Sequence, residues 1–75
     1  MKLRLYSNSF NSGGERVRIA LALKRIDYEY ISIKDLGWDA YRAINPQLLL
    51  PTLAVGDVLV TQSTAILEYL EETAP

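Results

Sequence analysis

The residues with chemistry to offer gather at three places in the 75-residue chain. Leu50-Pro51-Thr52-Leu53 sets a proline at the start of a strand that belongs inside a sheet, where a missing N–H is ordinarily avoided. A cis Leu50–Pro51 bond would resolve this by turning the chain sharply and presenting the backbone N–H and C=O of Leu50 as a fixed edge for an extended, peptide-like ligand. A trans proline at the strand start is the alternative and the commoner case, since only about 5–6% of X-Pro bonds are cis. Thr61-Gln62-Ser63 falls where the last strand yields to the last helix, whose N-terminal N–H groups and partial positive charge could receive a carboxylate. Equally, Thr61 or Ser63 could serve only as the helix cap. Asn11-Ser12-Gly13-Gly14 opens the first helix with the same two readings: Ser12 donates to an anion such as a thiolate, or caps the helix. The two glycines favour the ligand, because they let one approach the backbone closely.

Missing residue types narrow the chemistry further. The sequence has no cysteine and no histidine, which removes disulfides, CxxC redox chemistry, zinc-finger ligands and any histidine-dependent triad or proton shuttle. If thiol chemistry happens here, the ligand brings the sulfur. Paired carboxylates at catalytic spacing, a phosphate loop and a metal-ligand cluster are also lacking. Arg16 and Arg18 read as solvated surface cations, and Trp38 and Tyr41 as cover for the sheet edge. Eight Lys and Arg against nine Asp and Glu give a net charge of −1 with no block of like charge, so nucleic acid is not an expected partner. The longest uninterrupted apolar run, Ile19 to Leu23, is far short of the ~20 residues needed to cross a bilayer, and the N-terminus lacks a signal-peptide apolar region. A soluble, cytoplasmic protein without membrane contact is expected.

The elements that must hold these segments can be read in order. Leu3, Leu5 and Tyr6 form an extended pattern that the polar Ser7-Asn8-Ser9 breaks, predicting a strand and a loop. Glu15 supplies a first-turn carboxylate. Val17, Ile19, Ala20, Leu21, Leu23 and Ile26 then alternate with Arg16, Arg18, Lys24 and Arg25, predicting a helix buried in its middle whose dipole suits Lys24-Arg25 at the finish. Tyr28, Tyr30, Ile31 and Ile33 predict a second strand. Leu36, Trp38, Tyr41 and Ile44 have roughly helical spacing, but Gly37 interrupts and Asn45-Pro46 terminates, so a short irregular helix or turns is expected. Thr52-Leu53-Ala54-Val55, Gly56-Asp57 and Val58-Leu59-Val60-Thr61 read as a tight hairpin. Ile66, Leu67, Tyr69 and Leu70 mark a closing helix that begins near Gln62-Ser63. The order βαβ-α-ββα gives an α/β fold in which the first unit is parallel with a right-handed crossover and the hairpin adds antiparallel strands. A mixed four-stranded sheet flanked by helices is expected.

At 49% hydrophobic and 23% charged, the chain makes one small domain, and a core of this size leaves room for outside support. Glu68, Glu71 and Glu72 crowd the end of the last helix, where the dipole disfavours them, and Thr73-Ala74-Pro75 looks like a linker start. More protein is expected to follow.

Taken together, Leu5-Tyr6-Ser7, Arg16 to Lys24, Asp27-Tyr28-Glu29, Asn45-Pro46-Gln47, Leu50-Pro51-Thr52-Leu53 and Thr61 to Leu70 closely resemble the N-terminal, thioredoxin-like domain of glutathione transferases, across nearly all of residues 1–75. The sequence is most similar to the zeta group, which includes maleylacetoacetate and maleylpyruvate isomerases. The resemblance implies a cis Pro51, backbone pairing of Leu50 with the cysteinyl part of glutathione, and Gln62 and Ser63 holding the γ-glutamyl end. It also implies that a hydroxyl at the start of the first helix stabilises the glutathione thiolate, the nucleophile that a free thiol of pKa ~8.5 barely supplies at neutral pH. Zeta enzymes carry Ser-Ser-Cys across the positions of Asn11-Ser12-Gly13, so Asn11 replaces the usual stabilising serine while Ser12 matches the second one. Leu48 and Leu49 stand where the family often has Lys or Gln reaching glutathione, which predicts weaker binding.

The resulting expectation is the glutathione-binding domain of a zeta-like glutathione transferase, with Ser12 and Asn11 as catalytic residues and Leu50, Pro51, Gln62 and Ser63 binding glutathione as co-substrate. In full length it would act on a small electrophilic or unsaturated acid by conjugation or cis–trans isomerisation, as a homodimer, with a helical C-terminal domain that this chain lacks. The alternative is a non-catalytic, transferase-like interaction module, favoured by Asn11, Leu48 and Leu49. A thiol–disulfide oxidoreductase on the same fold fails for want of cysteine.

Overall fold

β1 (Leu3–Ser7) is an inner strand, buried on both faces from Leu5 onward. Successive side chains of a strand point to opposite sides, so Leu5 enters one core and Tyr6 the other. The computed structural model describes residues 3–8 and 11–73. β1 pairs parallel with β2 (Glu29–Ser32) and antiparallel with β3 (Thr52–Val55), which pairs antiparallel with β4 (Val58–Thr61). The sheet is therefore mixed and four-stranded, as the sequence predicts, and its strands lie in the order β2-β1-β3-β4. All of β3 is buried because it too is covered on both faces: Leu53 and Val55 lie in the first core, Ala54 in the second.

α1 (Ser12–Leu23) and α4 (Ser63–Thr73) cover the first face. Gly14, Val17 and Leu21 of α1 and Ile66 and Leu70 of α4 recur at three- and four-residue spacing, the period that puts side chains on one helix face. The buried stripe of α1 is narrower than the apolar run suggests. Ile19 is 52% exposed and Leu23 80% exposed, because the i, i+3, i+4 geometry turns them outward.

α1 ends without glycine. Arg25 takes the left-handed conformation at φ 56, while the Ile26 N–H donates to the Leu21 carbonyl at 3.0 Å and the Arg25 N–H to that of Ala22 at 3.1 Å. This is the Schellman arrangement, and Ile26 accompanies it by packing against the first core. Beyond it, Lys24 Nζ lies 3.2 Å from Glu71 of α4, giving one of the three crowded C-terminal carboxylates a cation.

The second face is covered by two short helices rather than one. β2 stops at Ser32, whose Oγ accepts from the Lys34 N–H at 3.2 Å and so caps α2 (Ile33–Leu36). Ile33, read from the sequence as part of the strand, is the first residue of that helix and enters the second core. Gly37, at φ 90 and ψ 146, occupies a region open essentially to glycine alone and separates α2 from α3 (Trp38–Arg42). Tyr41 of α3 is fully buried rather than covering the sheet edge, whereas Trp38 is 47% exposed.

Since a left-handed conformation costs an L-residue roughly 1–2 kcal/mol that glycine avoids, Arg25→Gly is expected to stabilise the fold by about 1 kcal/mol after the added unfolded-state entropy is offset. Urea unfolding of the two proteins side by side checks this.

Candidate functional site

Register brings the three chemistry-bearing segments to one end of the sheet. Tyr6 faces Thr52 and Thr52 faces Thr61, so the C-terminal end of β1, the N-terminal end of β3 and the C-terminal end of β4 coincide. Asn11 to Gly14, Leu50-Pro51 and Gln62-Ser63 branch from those ends.

The two long helices begin beside each other. A Cβ at Gly13 would lie 3.2 Å from both Cβ and Oγ of Ser63, so the first turn of α1 abuts the first residue of α4. A Cβ at Gly14 would overlap the Ser7 side chain outright, so only glycine lets α1 sit this close to the end of β1. Sequence reasoning assigned the glycines to ligand approach; the structure gives them a packing role that draws two helix N-termini together. Their N–H groups and partial positive charges add at the same point, a setting for a carboxylate or thiolate.

Asn11 is the N-cap of α1, since its Oδ1 accepts from the Gly14 N–H at 2.6 Å and its carbonyl from the Glu15 N–H at 3.0 Å. The capping role that the sequence left open for Ser12 thus falls to Asn11, because the helix begins at Ser12. Asn11 keeps its amide Nδ2 as a donor. Ser12 is exposed, and its hydroxyl makes no hydrogen bond among the described residues. At the other helix, the Gln62 carbonyl accepts from the Ile66 N–H at 3.0 Å, which makes Gln62 the N-cap position, and Gln62 is held at φ 70. A non-glycine residue there carries strain of about 1–3 kcal/mol, the kind of outlier that collects at functional sites.

Leu50–Pro51 is cis. Pro51 is buried and Leu50 half-buried, and the Leu50 N–H and C=O make no hydrogen bond among the described residues. The loop leading to it rests on side chains that sequence reasoning read otherwise. The Tyr41 hydroxyl donates to the Leu49 carbonyl at 2.7 Å and lies 2.5 Å from Thr52 Oγ1. Asn45, read as a helix terminator, is buried and donates through Nδ2 to the same carbonyl at 3.2 Å and to Thr52 Oγ1 at 3.4 Å. A signal was available: Tyr41 and Asn45 are spaced i, i+4, which sets two polar groups on one face of a helical turn.

Arg18 is occupied elsewhere. Its guanidinium stacks 4.7 Å from the centre of the Tyr30 ring and lies 3.8 Å from Glu15, and hydrogen bonding with the Tyr28 side chain raises its pKa above the ordinary arginine value. Among the described residues, no group of three or more His, Cys, Asp or Glu could hold a metal ion, and no helix is long and apolar enough to cross a membrane.

A family profile described as "Glutathione S-transferase, N-terminal domain" matches residues 5–75. Glutathione S-transferase Z1 of Arabidopsis thaliana is 47% identical over 78 residues, covering 99% of this chain and 35% of its own length. A maleylpyruvate isomerase, described as a bacterial glutathione S-transferase of the zeta class, superposes with a TM-score of 0.84 at 41% identity over 96% of this chain and 36% of its own. The maleylacetoacetate isomerase of Methylobacterium extorquens AM1, solved with malonate and glutathione bound, gives 0.83 at 43% identity over 95% and 36%. The chain spans about a third of the length of these curated relatives.

Two substitutions at the α1 start separate capping from close approach. Asn11→Ala is expected to cost about 0.5–2 kcal/mol of stability and Asn11→Ser much less, since serine keeps a cap acceptor. Gly14→Ala is expected to cost about 1–3 kcal/mol through its clash with Ser7. Chemical denaturation measures all three.

Proposed function

The chain belongs to the glutathione S-transferase family, matching its N-terminal domain, and on that premise we propose that it binds glutathione and activates the thiol within a zeta-like transferase or isomerase. The observation that carries the reading is the abutment of Gly13 and Ser63, which sets two helix N-termini together at the sheet end where the Leu50 backbone N–H and C=O make no hydrogen bond among the described residues.

On this reading the γ-glutamyl and cysteinyl parts of the tripeptide meet different groups. The γ-glutamyl carboxylate lies at the N-terminus of α4, with Gln62 and Ser63 as polar partners, and the cysteinyl amide pairs with the backbone of Leu50 ahead of Pro51. The sulfur then falls toward the start of α1. There the Ser12 hydroxyl, the Asn11 Nδ2 and the first-turn N–H groups all favour the charged form and lower the thiol pKa. The thiolate adds to a polarised double bond of a small unsaturated acid. The S–C bond forms as the π bond breaks and leaves an enolate. Conjugation ends when that enolate takes a proton from water; isomerisation follows if the new single bond rotates and the enolate electrons re-form the double bond as the thiolate leaves.

The acceptor acid, a cytoplasmic location and a homodimer are parts of the same proposal. So is a helical C-terminal domain after Pro75, which fits relatives about three times as long. Its docking face is supported by Ile19 and Leu23, exposed on α1, and by a groove of about 400 Å³ along α4 lined by Thr64, Leu67 and the three C-terminal glutamates.

The test uses the full gene product. Calorimetry is expected to detect glutathione binding, and Ser63→Ala to weaken it by roughly 1–3 kcal/mol as a hydrogen bond to a charged carboxylate is lost. Unchanged affinity in that variant refutes the carboxylate assignment. Thiolate absorbance of bound glutathione against pH is expected to report a pKa below the free value, raised again in Ser12→Ala and in Asn11→Ala. A bound thiol that titrates as it does in free solution in all three proteins would favour the non-catalytic interaction module instead.

A further inference from the structure

The stretch from Asn45 to Leu50 has little apolar packing to hold it. Pro46, Gln47 and Leu49 are exposed, and only Leu48 and Leu50 touch the second core, from partly buried positions. The chain also bends there against preference, with Leu48 in the left-handed region at φ 58. Hydrogen bonds hold its shape. The Leu48 N–H donates to the Asn45 carbonyl at 2.9 Å, and the Gln47 N–H to Asn45 Oδ1 at 3.1 Å.

The two atoms that bracket Leu50-Pro51, the Leu49 carbonyl oxygen before it and Thr52 Oγ1 after it, are both gripped by the same pair of side chains, Tyr41 and Asn45. Tyr41 is itself immobilised. Its ring is fully buried, with the Tyr6 ring centre 5.8 Å away and the Trp38 ring centre 6.1 Å away. Thr52 is anchored by its strand, between Tyr6 of β1 and Thr61 of β4. The Leu50 backbone is thus suspended between two fixed points while its own N–H and C=O bond to nothing else described.

We propose that Tyr41, Asn45 and Thr52 are positioning residues for the glutathione site, a buried clamp that sets the direction of the Leu50 backbone groups and thereby the affinity for the peptide part of the ligand. The inference rests on the glutathione-binding reading above and extends it to side chains that touch no ligand atom. A hydrogen-bonded clamp of this kind preorganises the edge, so loosening it should act on binding rather than on the amount of folded protein.

The test compares the full gene product with Tyr41→Phe, Thr52→Val and Thr52→Ser, by calorimetry with glutathione. Phenylalanine keeps the aromatic packing and valine the shape of threonine, so each removes a hydroxyl alone. The expected result is a dissociation constant raised about tenfold in Tyr41→Phe and in Thr52→Val, at the parent's binding stoichiometry, with Thr52→Ser restoring the parent's value. The Leu50 amide resonance should shift in the two weakened variants before any glutathione is added. A merely structural role gives the opposite pattern: stoichiometry falls as protein unfolds, while the remaining molecules bind with the parent's affinity. That outcome, or parent-like affinity in both hydroxyl-deleted variants, overturns the clamp and leaves the glutathione reading intact. Failure of the parent to bind glutathione overturns both.

Discussion

The approach of Gly14 to Ser7 governs how the first helix meets the sheet, and much of the domain follows from it. With no Cβ in the way, α1 seats its N-terminus against the end of β1, and Val17 and Leu21 then fall onto the same core as Leu5 and Leu53. One side chain larger, and the helix would have to lift or tilt, because a packed interior has no void into which Ser7 could retreat. The same seating carries Gly13 to the side of Ser63, so the start of α4 is located by the start of α1. The two helix N-termini proposed to receive the carboxylate and the thiolate are thereby kept a short distance apart.

The two faces of the sheet have different work. The first, under α1 and α4, is aliphatic, built from Leu5, Val17, Leu21, Leu53, Val55, Ile66 and Leu70, and supplies most of the apolar burial that a small domain needs. The second is smaller and contains Tyr41 with the buried polar Thr52 and Asn45 beside it. Burying such groups is costly unless they are bonded. Here they are bonded to each other and to the Leu49 carbonyl, and among the described residues no buried side-chain nitrogen or oxygen lacks a partner. The cost of burying polarity is therefore met by contacts that also determine the loop bearing Leu50.

The strained positions concentrate at element ends. Arg25 closes α1, Leu48 turns the chain toward Leu50, and Gln62 opens α4, all at positive φ without glycine's freedom. Leu48 and Gln62 flank the candidate glutathione site, and Arg25 lies at the opposite end of α1. Such conformations persist only where surrounding hydrogen bonds over-determine them, as the Schellman pair does for Arg25 and the Asn45 carbonyl does for Leu48.

The sequence by itself determined the four strands and two long helices in their order along the chain, the mixed sheet, the hairpin at Gly56-Asp57 and the family, because these depend on local periodicity, turn residues and motifs read along the chain. It also singled out Leu50-Pro51 and Gln62-Ser63 as peculiar, since a proline at an inner strand and a polar triplet at a helix start are visible one residue at a time. Tertiary structure alone decided that Asn11 rather than Ser12 caps α1, that Ile33 belongs to a helix, and that the glycines serve packing. It also turned Tyr41 and Asn45 inward onto Thr52. Each of these depends on which atoms from distant segments arrive at the same point: whether a Cβ at Gly14 would strike Ser7, or a tyrosine hydroxyl find a carbonyl eight residues on, is a matter of three-dimensional distance that no periodicity encodes.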